Sequence, residues 1–236
     1  MSVICYWHAS MLYTLQLANR FFPLIEPILA EEGVPADFKY LCVAESNLQQ
    51  VVSPAKAVGF WQFLESTGKE YGLEINAEVD ERYHIEKSTR AACAYLKKSY
   101  AKYGTWSLAA ASYNVGQTNV DKYITRQKQK NYYDLLLPEE TGRYVYRAVV
   151  FKMVLSDPSR YGFNLKDADL FAPLEWDNVK ITDTVTNWAD WAVQHGINYK
   201  MLKYFNPWLR DEKLTNAAKK TYTVKVPKKG FREAGK

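Results

Sequence analysis

A single glutamate carries the sharpest chemical signal in the chain. Phe38, Leu41, Cys42, Glu45 and Leu48 recur at steps of three, one, three and three, which is one face of a helix. Glu45 therefore lies on the apolar stripe of its own helix, either at the lip of a cleft or inside the protein. Partial removal from water disfavours the carboxylate and raises its pKa. A carboxyl that stays protonated near neutral pH is what a general acid needs to protonate a glycosidic oxygen. The stripe alone leaves open a plainer reading, a helix-face glutamate paired with a distant Lys or Arg.

Three further clusters carry groups suited to a ligand. In Ser53-Pro54-Ala55-Lys56-Ala57-Val58-Gly59-Phe60-Trp61-Gln62, a glycine at a helix start lets backbone approach a ligand closely. Gln62 offers both donor and acceptor, which suits an acetamido or hydroxyl group. Ser112-Tyr113-Asn114-Val115-Gly116 ends a short apolar helix, where Tyr113 and Asn114 can point into one cleft. Glu140 and Tyr144 are four residues apart and share a helix face. Each cluster also has an ordinary structural reading: a loop-to-helix join, a core tyrosine with a left-handed asparagine cap, and a surface pair.

These groups need helices to hold them. The first ~165 residues read as helical. Phe22 to Glu31 is an apolar-rich segment before Gly33, and Pro35 suits the first turn of the helix bearing Glu45. Gly59 is expected to open a short helix toward Gly68. Glu86 to Tyr103 stops at Gly104, Trp106 to Tyr113 ends in a turn, and Thr118 or Asn119 could cap the next helix. Pro138 to Leu155 is the last long helix. After about Leu170 the pattern changes: extended around Val179, Ile181 and Val185, helical over Trp188 to His195 and Tyr199 to Phe205, and alternating over Tyr222, Val224 and Val226 up to Pro227. That is a small strand–helix–helix–strand module, so the chain is expected to be mostly α with a small α/β appendage.

Composition narrows the classes. The 236 residues are 47% hydrophobic and 24% charged, a normal globular balance, and 15% aromatic, with 18 Tyr and 7 Trp whose flat faces suit sugar rings as well as cores. The net charge of +5, locally richer toward Lys219, Lys220, Lys225, Lys228, Lys229, Arg232 and Lys236, favours anionic surroundings. No zinc finger, RNA-recognition signature or zipper points to nucleic acid. No metal spacing, phosphate loop or nucleotide fingerprint points to a metal or cofactor, and His8, His84 and His195 are isolated. Cys5, Cys42 and Cys93 make no disulfide framework, although one bridge between Cys42 and Cys93 stays open. Cys5 follows Ser2-Val3-Ile4, a poor lipid-attachment site. No apolar run reaches the ~18 residues of a membrane span. The start lacks an export signal, so the residues are either cytosolic or the mature part of an exported protein.

Taken together and in order, the motifs resemble the lytic transglycosylase family, in particular its membrane-bound D-type branch. Glu45-Ser46 matches the family's catalytic Glu-Ser pair, and Ser53 through Gln62 its Ser-Pro-x-Gly-Ala-x-Gly-Leu-Met-Gln segment. Ser112-Tyr113-Asn114 matches its Ala-Tyr-Asn, while Glu140, Thr141 and Tyr144 match its Glu-Thr-x-x-Tyr. The resemblance covers roughly Phe21 to Leu165. Lys56 stands where Gly is common, Phe60-Trp61 replace Leu-Met, and Ser112 replaces Ala.

The resemblance implies a lysozyme-like helical domain that cleaves peptidoglycan glycan strands without water. Glu45 would protonate the oxygen between N-acetylmuramic acid and N-acetylglucosamine. It would then take the proton of the sugar's own C6 hydroxyl as a 1,6-anhydro ring closes. Ser46, Ser53, Gly59, Gln62, Tyr113, Asn114, Glu140 and Tyr144 would line the cleft. The tail resembles a LysM domain more weakly, through Val179 to Val185, Trp188-Ala189, Gly196-Ile197, Leu202, Asn206-Pro207 and Tyr222 to Pro227. Thr182 stands in place of the usual Gly. Weak N-acetylglucosamine binding and simple bracing are both open for it. The expected boundaries are 1–168 for the catalytic domain and 169–236 for the LysM-like module and basic tail, and the substrate implies the bacterial envelope. The rival readings are a hydrolytic muramidase, which would want Asp80 or Glu81 as a second carboxylate facing Glu45, and a non-catalytic wall-binding protein.

Overall fold

A computed structural model describes residues 8–231. Cys5, Arg232 and Lys236 lie outside these residues. Helix α1 spans His8–Glu31, α2 Lys39–Ser46, α3 Glu65–Glu70, α4 Ile85–Tyr103, α5 Trp106–Val115, α6 Gln117–Gln127 and α7 Glu139–Ser156. Strand β1 (Trp176–Ile181), helices α8 (Trp188–Gln194) and α9 (Tyr199–Phe205), and strand β2 (Tyr222–Pro227) complete the chain. Among the described residues no helix is long and apolar enough to cross a membrane. The fold is mostly α, with one two-stranded sheet.

Helix α1 begins fourteen residues before the segment expected from Phe22. Met11, Leu15, Ala18, Phe21, Ile25, Ile28 and Leu29 form its buried stripe at helical spacing. Pro23 and Pro27 sit inside it, four apart and exposed. The carbonyls that lose a partner there face water, so the helix continues through two residues that would break it in a core.

Helix α2 packs between α1 and α7, and α5 packs on both α4 and α7. The three residues Ala36–Phe38 form a 3₁₀ turn after Pro35, and α2 proper follows. Leu48 belongs to the buried stripe although the helix has already ended: Asn47 and Leu48 both take left-handed backbone (φ 50° and 57°). The single residue Gly116 (φ 83°) joins α5 to α6. Neither Thr118 nor Asn119 caps α6. Asn119 instead donates back to the carbonyl of Val115, 2.8 Å away, at the end of α5. Cys42 and Cys93 are separate buried thiols, so the bridge left open does not form.

In the C-terminal module β1 and β2 pair antiparallel, from Trp176 opposite Pro227 to Ile181 opposite Tyr222. Asn187 and Asn198 cap α8 and α9 through their side chains. The core of this module is shared with the helical domain: Val58, Val79 and Tyr83 pack into the cluster of Trp188, Leu202, Trp208, Leu214 and Val224. Backbone bonds cross the seam as well, Asp80 N–H to Trp208 O at 2.9 Å and Arg210 N–H to Glu78 O at 2.8 Å. The connecting stretch is pinned to α1 by Gln16, Asn19 and Arg20, which donate to the carbonyls of Asp169, Phe171 and Ala172.

Candidate active site

Glu45 sits on the last turn of α2, half-buried. The hydroxyl of Tyr144, from α7, donates to its Oε1. Burial raises the Glu45 pKa most. The Tyr144 hydrogen bond and the Arg147 charge pull it down, Glu140 pushes it up, and the net shift is upward. Arg147 is held where it can act by donating to the carbonyl of Ala44 at 2.9 Å.

Two of the other clusters lie beside this carboxyl. Tyr113 lies within electrostatic reach of Glu45, and its hydroxyl donates to the carbonyl of Trp61 at 2.7 Å. Its ring is set edge-on against Trp61, Phe63 and Tyr95. Asn114 accepts from the Thr141 hydroxyl at 2.8 Å and donates to Glu140 Oε1 at 3.3 Å, joining the end of α5 to the start of α7. Gln62 has left-handed backbone (φ 49°) and donates to the carbonyls of Gly59 and Val51. Of six non-glycine residues with positive φ among the described residues, Asn47, Leu48, Lys56 and Gln62 all fall in the segment between α2 and α3. Such concentration of unfavourable backbone is typical of a site whose geometry is imposed by its surroundings.

Several residues serve the wall and not its open face. Ser46 is buried, and its hydroxyl is shared between the carbonyls of Phe60 at 2.9 Å and Cys42 at 3.2 Å. It ties α2 to the loop, with its hydroxyl turned inward. Ser53 accepts from the N–H of Ala57 at 3.0 Å and closes its own turn. Tyr144 is 1% exposed, so it positions Glu45 and presents little surface. Phe60 and Trp61 are core residues, with the Trp61 indole donating to Thr89 at 2.9 Å. Ser112 is buried too, bonded to Ser99 at 2.9 Å.

Gly59 starts no helix; it lies in a tight turn bracketed by bridges of Val58 to Val52 and Phe63, and α3 begins only at Glu65. What approaches it is protein. A Cβ at Gly59 (φ +80°) would meet the backbone oxygen of Arg82 at 2.3 Å. Gly59→Ala is accordingly expected to destabilise the chain by about 2–4 kcal/mol, as a lowered midpoint in urea unfolding.

Asp80 and Glu81, the candidates for a second carboxylate, are engaged elsewhere. Asp80 grips Arg82 with both oxygens, Nε to Oδ1 at 2.9 Å and Nη2 to Oδ2 at 2.7 Å, and both residues are buried. Glu81 pairs with Lys87 and accepts from the N–H of Glu74. Arg82 in turn reaches the carbonyls of Lys56 and Phe63, so this ion pair holds the loop that carries Gln62. Sequence reading missed Arg82 as well as Arg147. A signal existed for Arg147, which lies three residues after Tyr144 on the face shared with Glu140.

Removing the Tyr144 hydroxyl isolates its effect. Tyr144→Phe deletes the bond that favours the Glu45 carboxylate, so the Glu45 pKa rises further. In a pH–rate profile the alkaline limb, where the acid is lost, should move to higher pH. The rate should fall about tenfold for the loss of one charge-assisted bond of about 1.4 kcal/mol.

Residues 24–136 match the family described as "Transglycosylase SLT domain", and residues 177–230 match "Soluble lytic transglycosylase C-terminal LysM-like domain". The chain is 31% identical over 205 residues to "Membrane-bound lytic murein transglycosylase D" of Escherichia coli strain K12, which covers 84% of this chain and 44% of that protein. The protein of the same name from Escherichia coli O6:H1 matches to the same extent. The chain thus spans less than half the length of these relatives.

Proposed function

Since residues 24–136 belong to the transglycosylase SLT domain family and residues 177–230 to its C-terminal LysM-like companion, we propose that this chain is a peptidoglycan lytic transglycosylase, a carbon–oxygen lyase. Its substrate is the β-1,4 bond from N-acetylmuramic acid to N-acetylglucosamine in glycan strands of the bacterial envelope. The observation that carries the reading is one half-buried carboxyl, held by Tyr144 and kept inclined to its protonated form by burial. The engagement of Asp80 and Glu81 in ion pairs of their own argues against either as the second carboxylate of a hydrolase.

Protonated Glu45 gives its proton to the bridging oxygen. The bond from muramoyl C1 to that oxygen breaks, and the electron pair leaves with the N-acetylglucosamine hydroxyl. The muramoyl acetamido oxygen shields the positive charge at C1. The Glu45 carboxylate then takes the proton of the C6 hydroxyl, O6 bonds to C1, and the acid is restored with no water consumed. The nucleophile is already on the substrate, so its effective concentration is high. Gln62, Tyr113, Asn114 and Glu140 orient the sugar. We assign residues 1–168 to the catalytic domain and 169–236 to a module that braces the loop bearing Gln62. Mass spectrometry of digested peptidoglycan tests the reaction: 1,6-anhydromuramic ends are expected, and reducing muramic ends would reject it.

A further inference from the structure

The last turn of α2, which carries Glu45, is capped from outside its own helix. Left-handed Asn47 and Leu48 end the helix, so its final carbonyls need partners from elsewhere. The N–H of Asn47 donates to the carbonyl of Val43 at 2.8 Å, and the N–H of Gln49 to that of Ser46 at 3.1 Å. The carbonyl of Ala44, directly before Glu45, is taken by α7: Arg147 Nη2 donates to it at 2.9 Å. A cation at a helix C-terminus is also favoured by the helix dipole.

Glu140, Tyr144 and Arg147 follow one another along α7 at steps of four and three, which is one helix face. Tyr144 bonds the Glu45 carboxyl, and one turn later Arg147 grips the neighbouring residue's backbone. The groups that act on Glu45 are these three, with Tyr113 of α5 and Cys42 of its own helix. Arg147 is the one cation among them within the described residues. Other cations of α7 are neutralised by carboxylates, Arg143 by Glu139 and Lys152 by Asp37. Arg147 sits instead against an uncharged carbonyl, so its charge stays available to Glu45.

The proposed cleavage makes opposite demands on Glu45. It begins neutral, and it becomes a carboxylate as its proton passes to the leaving oxygen. Burial favours the first state and Arg147 the second. A cation that meets charge only as it develops lowers the barrier without tightening ground-state binding. On the premise of that lyase reaction, we infer that Arg147 is a positioning residue for Glu45: it fixes the last turn of α2 through the Ala44 carbonyl and places its guanidinium where the carboxylate forms. It acts through Glu45 and not by contact with the glycan.

The test compares the full chain with two neutral variants, Arg147→Gln and Arg147→Met, and a charged one, Arg147→Lys. Arg147 is exposed, so all three are expected to fold; melting curves check this, and either neutral variant suffices. The first readout needs no substrate. With ¹³C-labelled glutamate, and Glu45→Gln to assign the resonance, the Glu45 carboxyl should titrate at higher pH in the neutral variants and return toward the wild-type position in Arg147→Lys. The second readout is cleavage of peptidoglycan. In the neutral variants kcat should fall about tenfold with KM unchanged, and the alkaline limb of the rate profile should move to higher pH. Lysine should recover most of the rate. An unmoved Glu45 titration, a raised KM with kcat intact, or a lysine variant as slow as the methionine one would overturn the role of Arg147. Reducing muramic ends from the wild type, with the Glu45 titration displaced as expected, would reject the proposed reaction and leave the placement of the cation standing.

Discussion

Replacing Glu45 by Gln is expected to abolish most glycan cleavage, by about 10³–10⁴-fold, the upper range for a general acid–base group. The magnitude follows from one carboxyl serving both steps: Gln can neither give the proton to the leaving oxygen nor take it from the C6 hydroxyl. It still accepts a hydrogen bond from Tyr144, so the fold should persist. Stability should move the other way. Burial holds the folded-state pKa of Glu45 above its unfolded value. The folded chain therefore binds this proton more tightly than the unfolded chain, and stability falls as pH rises from the ordinary carboxylate range through the raised value. An uncharged amide is free of that penalty. Near neutral pH the variant should melt at a higher temperature than the wild type, and the difference should shrink on acidification. Cleavage assays paired with melting curves check both halves. Full activity in Glu45→Gln would remove the acid from the mechanism.

Removing the carboxylate of Asp80 should give the largest loss of stability. Asp80→Ala leaves the Arg82 guanidinium buried without its counter-charge, a change that typically destabilises by about 3–5 kcal/mol. For a chain of this size that corresponds to a drop of roughly 10 °C in Tm. The consequence should reach the cleft, because Arg82 also holds the carbonyls of Lys56 and Phe63 and its own carbonyl presses on Gly59. KM for glycan should rise as the Gln62 loop loosens, more than kcat falls. Asp80→Ala combined with Arg82→Ala should recover part of the stability by removing the stranded charge. A double variant no more stable than Asp80→Ala would show that the pair itself is not what braces the loop.

Much of this protein was legible because much of it is local. The 3.6-residue period marks α2 and α4, Gly104 in left-handed backbone ends α4 as its position suggests, and the strand–helix–helix–strand order of the tail follows from alternation and turn residues. Glu45, Tyr113, Asn114, Glu140 and Tyr144 stand out by type and spacing, and the fold brings them together. Local signals failed where the outcome depended on which side faces water. Helix α1 runs through Pro23 and Pro27 because both lie on its exposed face, a fact of packing that composition does not carry.

By itself, then, the sequence determined most of the elements and singled out Glu45 as the candidate acid, because propensity, capping and periodicity act over a few residues. Only the tertiary structure decided what each group does. The Glu45–Tyr144 bond joins residues 99 apart. Ser46 turns inward onto Phe60, and Gly59 is required by the backbone of Arg82 and not by a ligand. The C-terminal module shares its core with the loop that carries Gln62. Burial, and with it the raised Glu45 pKa, arises from surfaces that meet only when the chain is folded.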